Sequence, residues 1–143
     1  MRSVSIAGLL LMVAVVLGLI YTHTLFSRSP VVIALQGAAV ALMLWARFTL
    51  GRRSFHAAAD PTEGGLVTSG PYRFIRHPIY TAACAFCWTG IMAHGSVPAI
   101  AGGVLLTIGA ILRMLAEERL VAARYPEYLG YAGRTKRMLP HVF

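Results

Sequence analysis

Acidic residues are scarce in this chain, five Asp and Glu against 13 Lys and Arg in 143 residues. The apolar runs 4–25, 31–45 and 79–93 contain none of them. A small four-helix proton-coupled transporter needs an acid within an early helix, so that class is disfavoured, as is a non-catalytic membrane scaffold once the motifs below are counted. Cysteine is limited to Cys84 and Cys87, a C-x-x-C in the middle of an apolar run. With no second pair and no electropositive neighbour, it lacks both the ligand count of a zinc site and the setting of a reactive thiol, and reads as small packing residues. His23, His56, His94 and His141 are scattered without the i, i+4 spacing of a metal face, so no metal is expected. Gly64-Gly65 and Gly102-Gly103 do not follow strand-like segments, which excludes the strand-to-helix fingerprint of a dinucleotide fold. Internal repeats and low-complexity tracts are missing too.

What the chain has in quantity is apolar sequence. Hydrophobic residues make up 57% and charged residues 13%, with mean hydropathy +0.68, which marks an all-α integral membrane protein. The length suits one domain, 1–143, with four transmembrane helices at about 4–25, 31–50, 79–94 and 97–116, each near the length needed to cross the roughly 30 Å hydrocarbon layer. Arg47 snorkels if the second span reaches Leu50. The His94-Gly95-Ser96-Val97-Pro98 turn makes the last two spans a hairpin. The first run is longer than a signal-peptide core, and Tyr21-Thr22-His23-Thr24 is a poor cleavage site, so it is expected to be retained. The polar remainder, 51–78 and 117–143, is left to form the site.

Basic residues set the orientation. Arg2, five in the second loop (Arg47, Arg52, Arg53, Arg73, Arg76) and six from Arg113 onward fall on one side of an even number of spans; the third loop has none. Both termini are therefore expected in the cytoplasm, in a bacterial inner membrane. The net charge of +8 and pI near 10.3 are explained by this bias and by anionic headgroups. No aromatic-basic platform argues for nucleic acid. Arg134-Thr135-Lys136-Arg137 reads as a headgroup-facing stretch.

Two constellations carry chemistry. The first is Leu66-Val67-Thr68-Ser69-Gly70-Pro71-Tyr72-Arg73-Phe74-Ile75-Arg76-His77-Pro78-Ile79-Tyr80, polar residues with turn chemistry at the entrance to an apolar run. Pro78 is suited to a first helical position, so this loop is a fixed helix entry. The second is Arg113-Met114-Leu115-Ala116-Glu117-Glu118-Arg119. On a helix Arg113 and Glu117 share a face while Glu118 turns about 100° away. Ionisable residues at membrane depth are site candidates by default.

Together these segments resemble the isoprenylcysteine carboxyl methyltransferase family of integral membrane S-adenosylmethionine-dependent enzymes, which is related to the phospholipid methyltransferases. The likeness runs from Leu50-Gly51-Arg52 through the Gly70-Pro71-Tyr72 and Arg76-His77-Pro78-Ile79-Tyr80 motifs to Arg113, Glu117-Glu118, Tyr128 and Arg134 to Pro140. It implies a cofactor pocket for S-adenosyl-L-methionine lined by Leu66, Val67, Tyr72, His77, Pro78, Ile79 and Tyr80, with Glu117 and its neighbour Glu118 at the same pocket. It also implies that Arg113 faces a substrate carboxylate, with Arg113 and Glu117 as the catalytic pair. The stretch Ala123-Arg124-Tyr125-Pro126-Glu127-Tyr128 departs from the family's Phe-Gly-x-x-Tyr, and there are fewer spans than in eukaryotic members, so a prenylated protein terminus is not implied.

The residue types suit methyl transfer, an in-line displacement that depends chiefly on alignment and exclusion of water. Arg113 can hold a carboxylate with two parallel donors, and Tyr72 and Tyr80 can pack against adenine and a sulfonium. The expected acceptor is a lipophilic small molecule or lipid at the membrane surface, with carboxyl O-methylation first and phospholipid N-methylation or thiol S-methylation as alternatives. Past Glu118 an amphipathic interfacial helix to about Tyr131 is expected, lying as a lid with Leu120, Tyr125 and Tyr128 against the bundle.

Overall fold

A computed structural model describes residues 1–51 and 65–140. Arg52, Arg53, His56, Gly64 and His141 lie outside the described residues, as does the rest of 52–64 in the second loop. The architecture is all-helical: α1 (Arg2–Tyr21), α2 (Pro30–Leu50), a 3₁₀ turn at Gly70–Arg73, α3 (Pro78–His94), α4 (Val97–Arg124) and α5 (Tyr128–Arg134). Among the described residues three helices, α1, α2 and α4, are long and apolar enough to cross a membrane. The fourth expected span, α3, has 17 residues, a rise of about 25 Å.

The helices pack in the order α1, α4, α3, α2. Gly90 of α3 is pressed against the carbonyl of Leu25 in the loop after α1, and at the α1–α4 crossing a Cβ on Gly8 would stand 2.7 Å from the Gly109 carbonyl oxygen. Small residues at such crossings let helices approach without a bulky knob between them. The core runs through Met12, Leu19, Leu25, Cys84, Cys87, Ile91 and Leu106. Both thiols are buried and unbridged, as the packing reading requires. Trp88 Nε1 donates to Thr107 Oγ1 at 3.0 Å, pinning α3 to α4 at mid-height.

The hairpin turn forms as its residues dictate. Gly95 takes the left-handed conformation (φ 62°) that ends α3, and the Ser96 hydroxyl caps α4 by accepting from Ala99 N. Two boundaries differ from expectation. α1 stops at Tyr21 rather than Leu25, because Thr22 Oγ1 turns back to Gly18 O and His23 adopts φ 55°. The freed Leu25 then folds into the core, where its carbonyl accepts from Gln36 Nε2 at 2.8 Å.

The second difference bears on the site. No interfacial helix begins after Glu118; α4 continues to Arg124, so its 28 residues reach about 42 Å. Nothing between Leu115 and Arg124 breaks a helix, whereas Pro126 does, and only the short α5 follows. Leu120 and Tyr125 are half-buried and Tyr128 is buried, and the expected single helix to about Tyr131 is instead the end of α4 and α5, broken between Arg124 and Tyr128.

Candidate active site at one end of the bundle

The beginnings of α1 and α3, the ends of α2 and α4, and the tail meet at one end. Gly70 has φ +56° and a Cβ there would fall 2.5 Å from Thr49 Oγ1, so only glycine lets the 3₁₀ turn lie against the end of α2. Pro71 and Pro78 are fully buried. Between them the backbone pairs with the tail: Ile75 and Lys136 form an isolated parallel bridge, Arg76 N donates to Lys136 O at 2.8 Å, and His77 N donates to Arg137 O at 2.9 Å. Thr81 Oγ1 adds a bond to Met138 O at 2.9 Å. The residues that open α3 are thus strapped from outside as well as fixed by proline.

Two hydrogen-bonded groups share this end. In the first, the Tyr80 hydroxyl donates to Glu117 Oε1 at 2.5 Å, Arg113 Nε donates to the Tyr80 oxygen at 2.5 Å and lies 3.2 Å from the same Glu117 oxygen. Arg113 Nη1 reaches Ser5 O on α1 at 3.3 Å. The guanidinium is 5% exposed; a cation so deep needs a compensating carboxylate, which Glu117 supplies one turn along the helix. In the second group Glu118 receives three cationic or imidazole donors: Arg76 Nε at 2.9 Å, His77 Nε2 at 3.2 Å, and Arg137 Nη2 at 3.0 Å. Arg76 also donates through Nη1 to Ala132 O and Thr135 O, at 2.6 and 2.5 Å, which satisfies carbonyls at the end of α5. The two groups meet at His77, whose Nδ1 is 3.9 Å from Glu117 Oε2.

A third layer is tyrosine. Tyr131 donates to Tyr72 O at 2.6 Å and stacks edge-on with Tyr128. Burial pushes the Tyr131 phenol up to about 12, against the pull of the Thr135 hydrogen bond and Arg76. Burial raises Tyr72 and Tyr128 as well, helped in Tyr72 by Tyr131 and Glu117 and in Tyr128 by Glu118. All three therefore stay neutral hydrogen-bonding groups at physiological pH.

Of the residues singled out in the sequence, His77, Tyr80, Arg113, Glu117 and Glu118 come together in one connected set. Tyr72 stands behind them in the 3₁₀ turn, Pro78 and Ile79 in the first turn of α3, and Leu66 and Val67 are half-buried on the segment leading in. Sequence reasoning missed Ser5, Tyr131 and the anchoring roles of Arg76 and Arg137. Within 134–137, expected to face headgroups throughout, Arg134 and Lys136 are exposed, whereas Thr135 is buried and Arg137 is paired with Glu118. The tail is drawn inward because Glu118 leaves α4 on the side facing it. A crevice of about 450 Å³ lies at the other end of the bundle, lined by Val15, Leu19, Thr22, Thr24, Ser96 and Pro98 among others, and contains none of these residues. Among the described residues no group of three His, Cys, Asp or Glu could hold a metal ion.

The fold is thus an apolar helical bundle with one polar, tyrosine-lined end that holds a buried Arg-Glu pair. Residues 30–128 match the family described as phospholipid methyltransferase, and the chain belongs to that family. Its relatives include the nickel-cobalt-cadmium resistance protein NccN of Alcaligenes xylosoxydans xylosoxydans, 30% identical over 132 residues covering 85% of this chain and 55% of that protein. The cobalt-zinc-cadmium resistance protein CzcN of Cupriavidus metallidurans is 33% identical over 84 residues, covering 54% of this chain and 36% of that protein. The chain thus spans between about a third and just over half the length of these curated relatives. No solved structure matches it.

Proposed function

We propose that the chain transfers a methyl group from S-adenosylmethionine to a lipophilic acceptor at the membrane surface, with a carboxylate oxygen as the acceptor atom. The observation that carries this reading is the Tyr80–Glu117–Arg113 set, which joins the residues expected at the cofactor to the one expected at the acceptor through a single phenol and a single carboxylate oxygen.

The donor set fits the cofactor's chemistry. Glu117, with its side chain 23% exposed beside His77, offers anionic acceptors for an ammonium group or ribose hydroxyls, and the rings of Tyr72 and Tyr80 offer π faces for adenine and a cationic sulfur. Leu66, Val67, Pro78 and Ile79 complete the apolar lining in this reading, and Glu118 stands behind His77. When bound, S-adenosylmethionine supplies an electrophilic methyl group. The chain's part is to orient and to exclude water: Arg113 steers the acceptor carboxylate, Glu117 holds that guanidinium in register, and Tyr80 ties the two together. Buried in this way, the charges act in a low-dielectric setting where they orient a ligand more strongly than in water.

Amine methylation is the second reading, favoured by the family to which residues 30–128 belong and by the contacts Arg113 already makes with Glu117 and Ser5. Thiol methylation is kept as a third acceptor chemistry. The metal-resistance names of the relatives describe those proteins. The gathering of the N-terminus, the 65–77 segment and the tail at one end supports a single cytoplasmic face of the inner membrane, with α3 as a fourth, short span. The deciding experiment incubates purified protein in nanodiscs with methyl-labelled S-adenosylmethionine and, separately, a long-chain carboxylic acid, phosphatidylethanolamine and a long-chain thiol. Label in a base-labile methyl ester supports the carboxylate reading; label only in the amine or thiol product replaces it.

A further inference from the structure

A carboxylate has no proton to give, so the 3.2 Å contact between Glu118 Oε1 and His77 Nε2 requires the imidazole to donate from Nε2. Glu118 is held in that accepting role by Arg76 and Arg137. The backbone that carries the ring is fixed, because His77 N is bonded to Arg137 O and Pro78 is fully buried, and the side chain itself is only 10% exposed. In a neutral imidazole with its proton on Nε2, Nδ1 carries the lone pair. That atom lies 3.9 Å from Glu117 Oε2, beyond hydrogen-bond length, so two acceptors stand side by side. Tyr80 and Arg113 Nε reach Glu117 through its other oxygen.

We propose that Glu118 is a positioning residue that holds His77 in its Nε2–H form, and that His77 Nδ1 and Glu117 Oε2 together form a paired acceptor for the α-ammonium group of the methyl-donor cofactor. The proposal deepens the methyltransferase reading and rests on it. An ammonium carries three donors and a positive charge, so it can satisfy both acceptors and pair with the carboxylate. An anionic or acceptor-only group at this place would meet a lone pair and a negative charge, so the pair also sets the cofactor's direction. Glu118 never touches the ligand in this arrangement. It acts through the proton it keeps on the far side of the ring, as outer carboxylates orient ligating histidines elsewhere.

Nitrogen-15 spectra of histidine-labelled protein at pH 8 without ligand, with the His77 signals assigned by their loss in His77→Asn, test the first half. The neutral Nε2–H form is expected in the wild type and in Glu118→Gln, whose amide oxygen still accepts. Glu118→Ala should show a mixture. The Nδ1–H form or an imidazolium in the wild type overturns the assignment.

Calorimetry with S-adenosylhomocysteine and its deamino analogue tests the second half. The wild type should prefer the amine-bearing ligand by about tenfold or more, the loss expected for one charge-assisted hydrogen bond. Glu118→Gln should keep most of that preference, and Glu118→Ala and Glu117→Gln should lose it. Equal binding of the two ligands by wild-type protein, which needs no variant to fold, overturns the ammonium pair. Equal loss in Glu118→Gln and Glu118→Ala shows that Glu118 only pins the tail and overturns its positioning role. Failure of the wild type to bind either ligand overturns the methyltransferase reading and the ammonium occupant with it, while the tautomer stands or falls on the spectra alone.

Discussion

The two ends of this bundle are built from the same four helices by opposite means. At the turn between α3 and α4 the chain is closed by backbone geometry: the left-handed Gly95, the Ser96 cap, and the Leu25 carbonyl pressed against Gly90. At the other end it is closed by charge, with Arg76, Arg113, Arg137, His77, Glu117 and Glu118 in one connected set. Close packing stabilises without offering a ligand anything to bind, whereas a buried charge network costs desolvation and is retained where chemistry needs it. The difference is the reason the proposed site is put at the charged end even though the 450 Å³ crevice lies at the apolar one.

The largest effect expected from a single methyl group is at the apolar end. Gly90→Ala would place a carbon 1.9 Å from a backbone oxygen that has no side-chain freedom to yield. A loss of about 4 kcal/mol, at the upper end of single-site effects, should follow. The turnover of whatever protein remains folded should be unchanged, because Tyr80 of the proposed site lies about 15 Å away along α3. Thermal unfolding in detergent alongside single-turnover rates checks this, and a variant that melts normally would mean that the Leu25 loop packs less tightly than described.

Arg113→Lys inverts that pattern. Lysine keeps the charge beside Glu117 but loses the planar fork, so methyl transfer should fall about a hundredfold, near 2.7 kcal/mol of transition-state stabilisation, with S-adenosylhomocysteine still bound. Normal turnover would remove the acceptor-clamp role. A lowered melting temperature with unchanged turnover per folded molecule would reduce the pair to a helix-ending salt bridge.

How far these contrasts could be read from the sequence depends on the range of the interaction. Helix starts and stops set by Pro78, Gly95, Ser96 and Pro98 are local and were legible, as was the i, i+4 pairing of Arg113 with Glu117. The motif residues His77 and Tyr80 could be tied to Glu117 and Glu118 only through resemblance, since 37 to 41 positions separate them. The strap across 75–77 was not legible. It rests on backbone bonds from Lys136, Arg137 and Met138, and backbone groups leave no mark in side-chain pattern. Ser5 escaped notice for the same reason, because it presents its carbonyl to Arg113.

Arg76→Met sharpens the comparison by loosening the charged end without touching Arg113. It removes one partner of Glu118 and both bonds to Ala132 O and Thr135 O, and should cost about 2 kcal/mol. Amide exchange at Arg76 and His77, whose N–H groups donate to the strap carbonyls, and at Thr135 should quicken while that of α1 and α2 is unchanged. Exchange that quickens uniformly would mean the strap does not open separately from the bundle.

Alkaline pH provides a milder probe of the same end. The Tyr131 phenol titrates near 10 in the unfolded chain and at about 12 when folded. A raised folded value means that the folded state holds its proton more tightly. The contribution is full below pH 10, declines as pH rises above the unfolded value, and is gone once pH passes about 12. Melting temperature should fall across that window as the 295 nm absorbance of tyrosinate rises, and Tyr131→Phe should lessen the dependence, the remainder coming from Tyr72 and Tyr128, which burial raises as well. A decline that starts well below pH 10 would have to come from other groups.

The smallest effect is expected where the crevice offers space. A Cβ on Gly102 would lie 3.5 Å from Val15 Cγ1 and 3.8 Å from Leu19 Cδ2, ordinary van der Waals distances. Gly102→Ala also replaces the poorest non-proline helix former with the best, so stability should be unchanged or higher by up to about 1 kcal/mol. Methyl transfer to a short acceptor should be unaffected, and the same should hold for acceptors of increasing chain length if the crevice takes no part in binding them. A KM that rises only for the longest acceptors would break the division between the two ends, because it would place the far end of a lipid tail beside Val15 and Leu19. That result would leave the chemistry where Arg113 and Glu117 put it and make the apolar end a ruler for the acceptor.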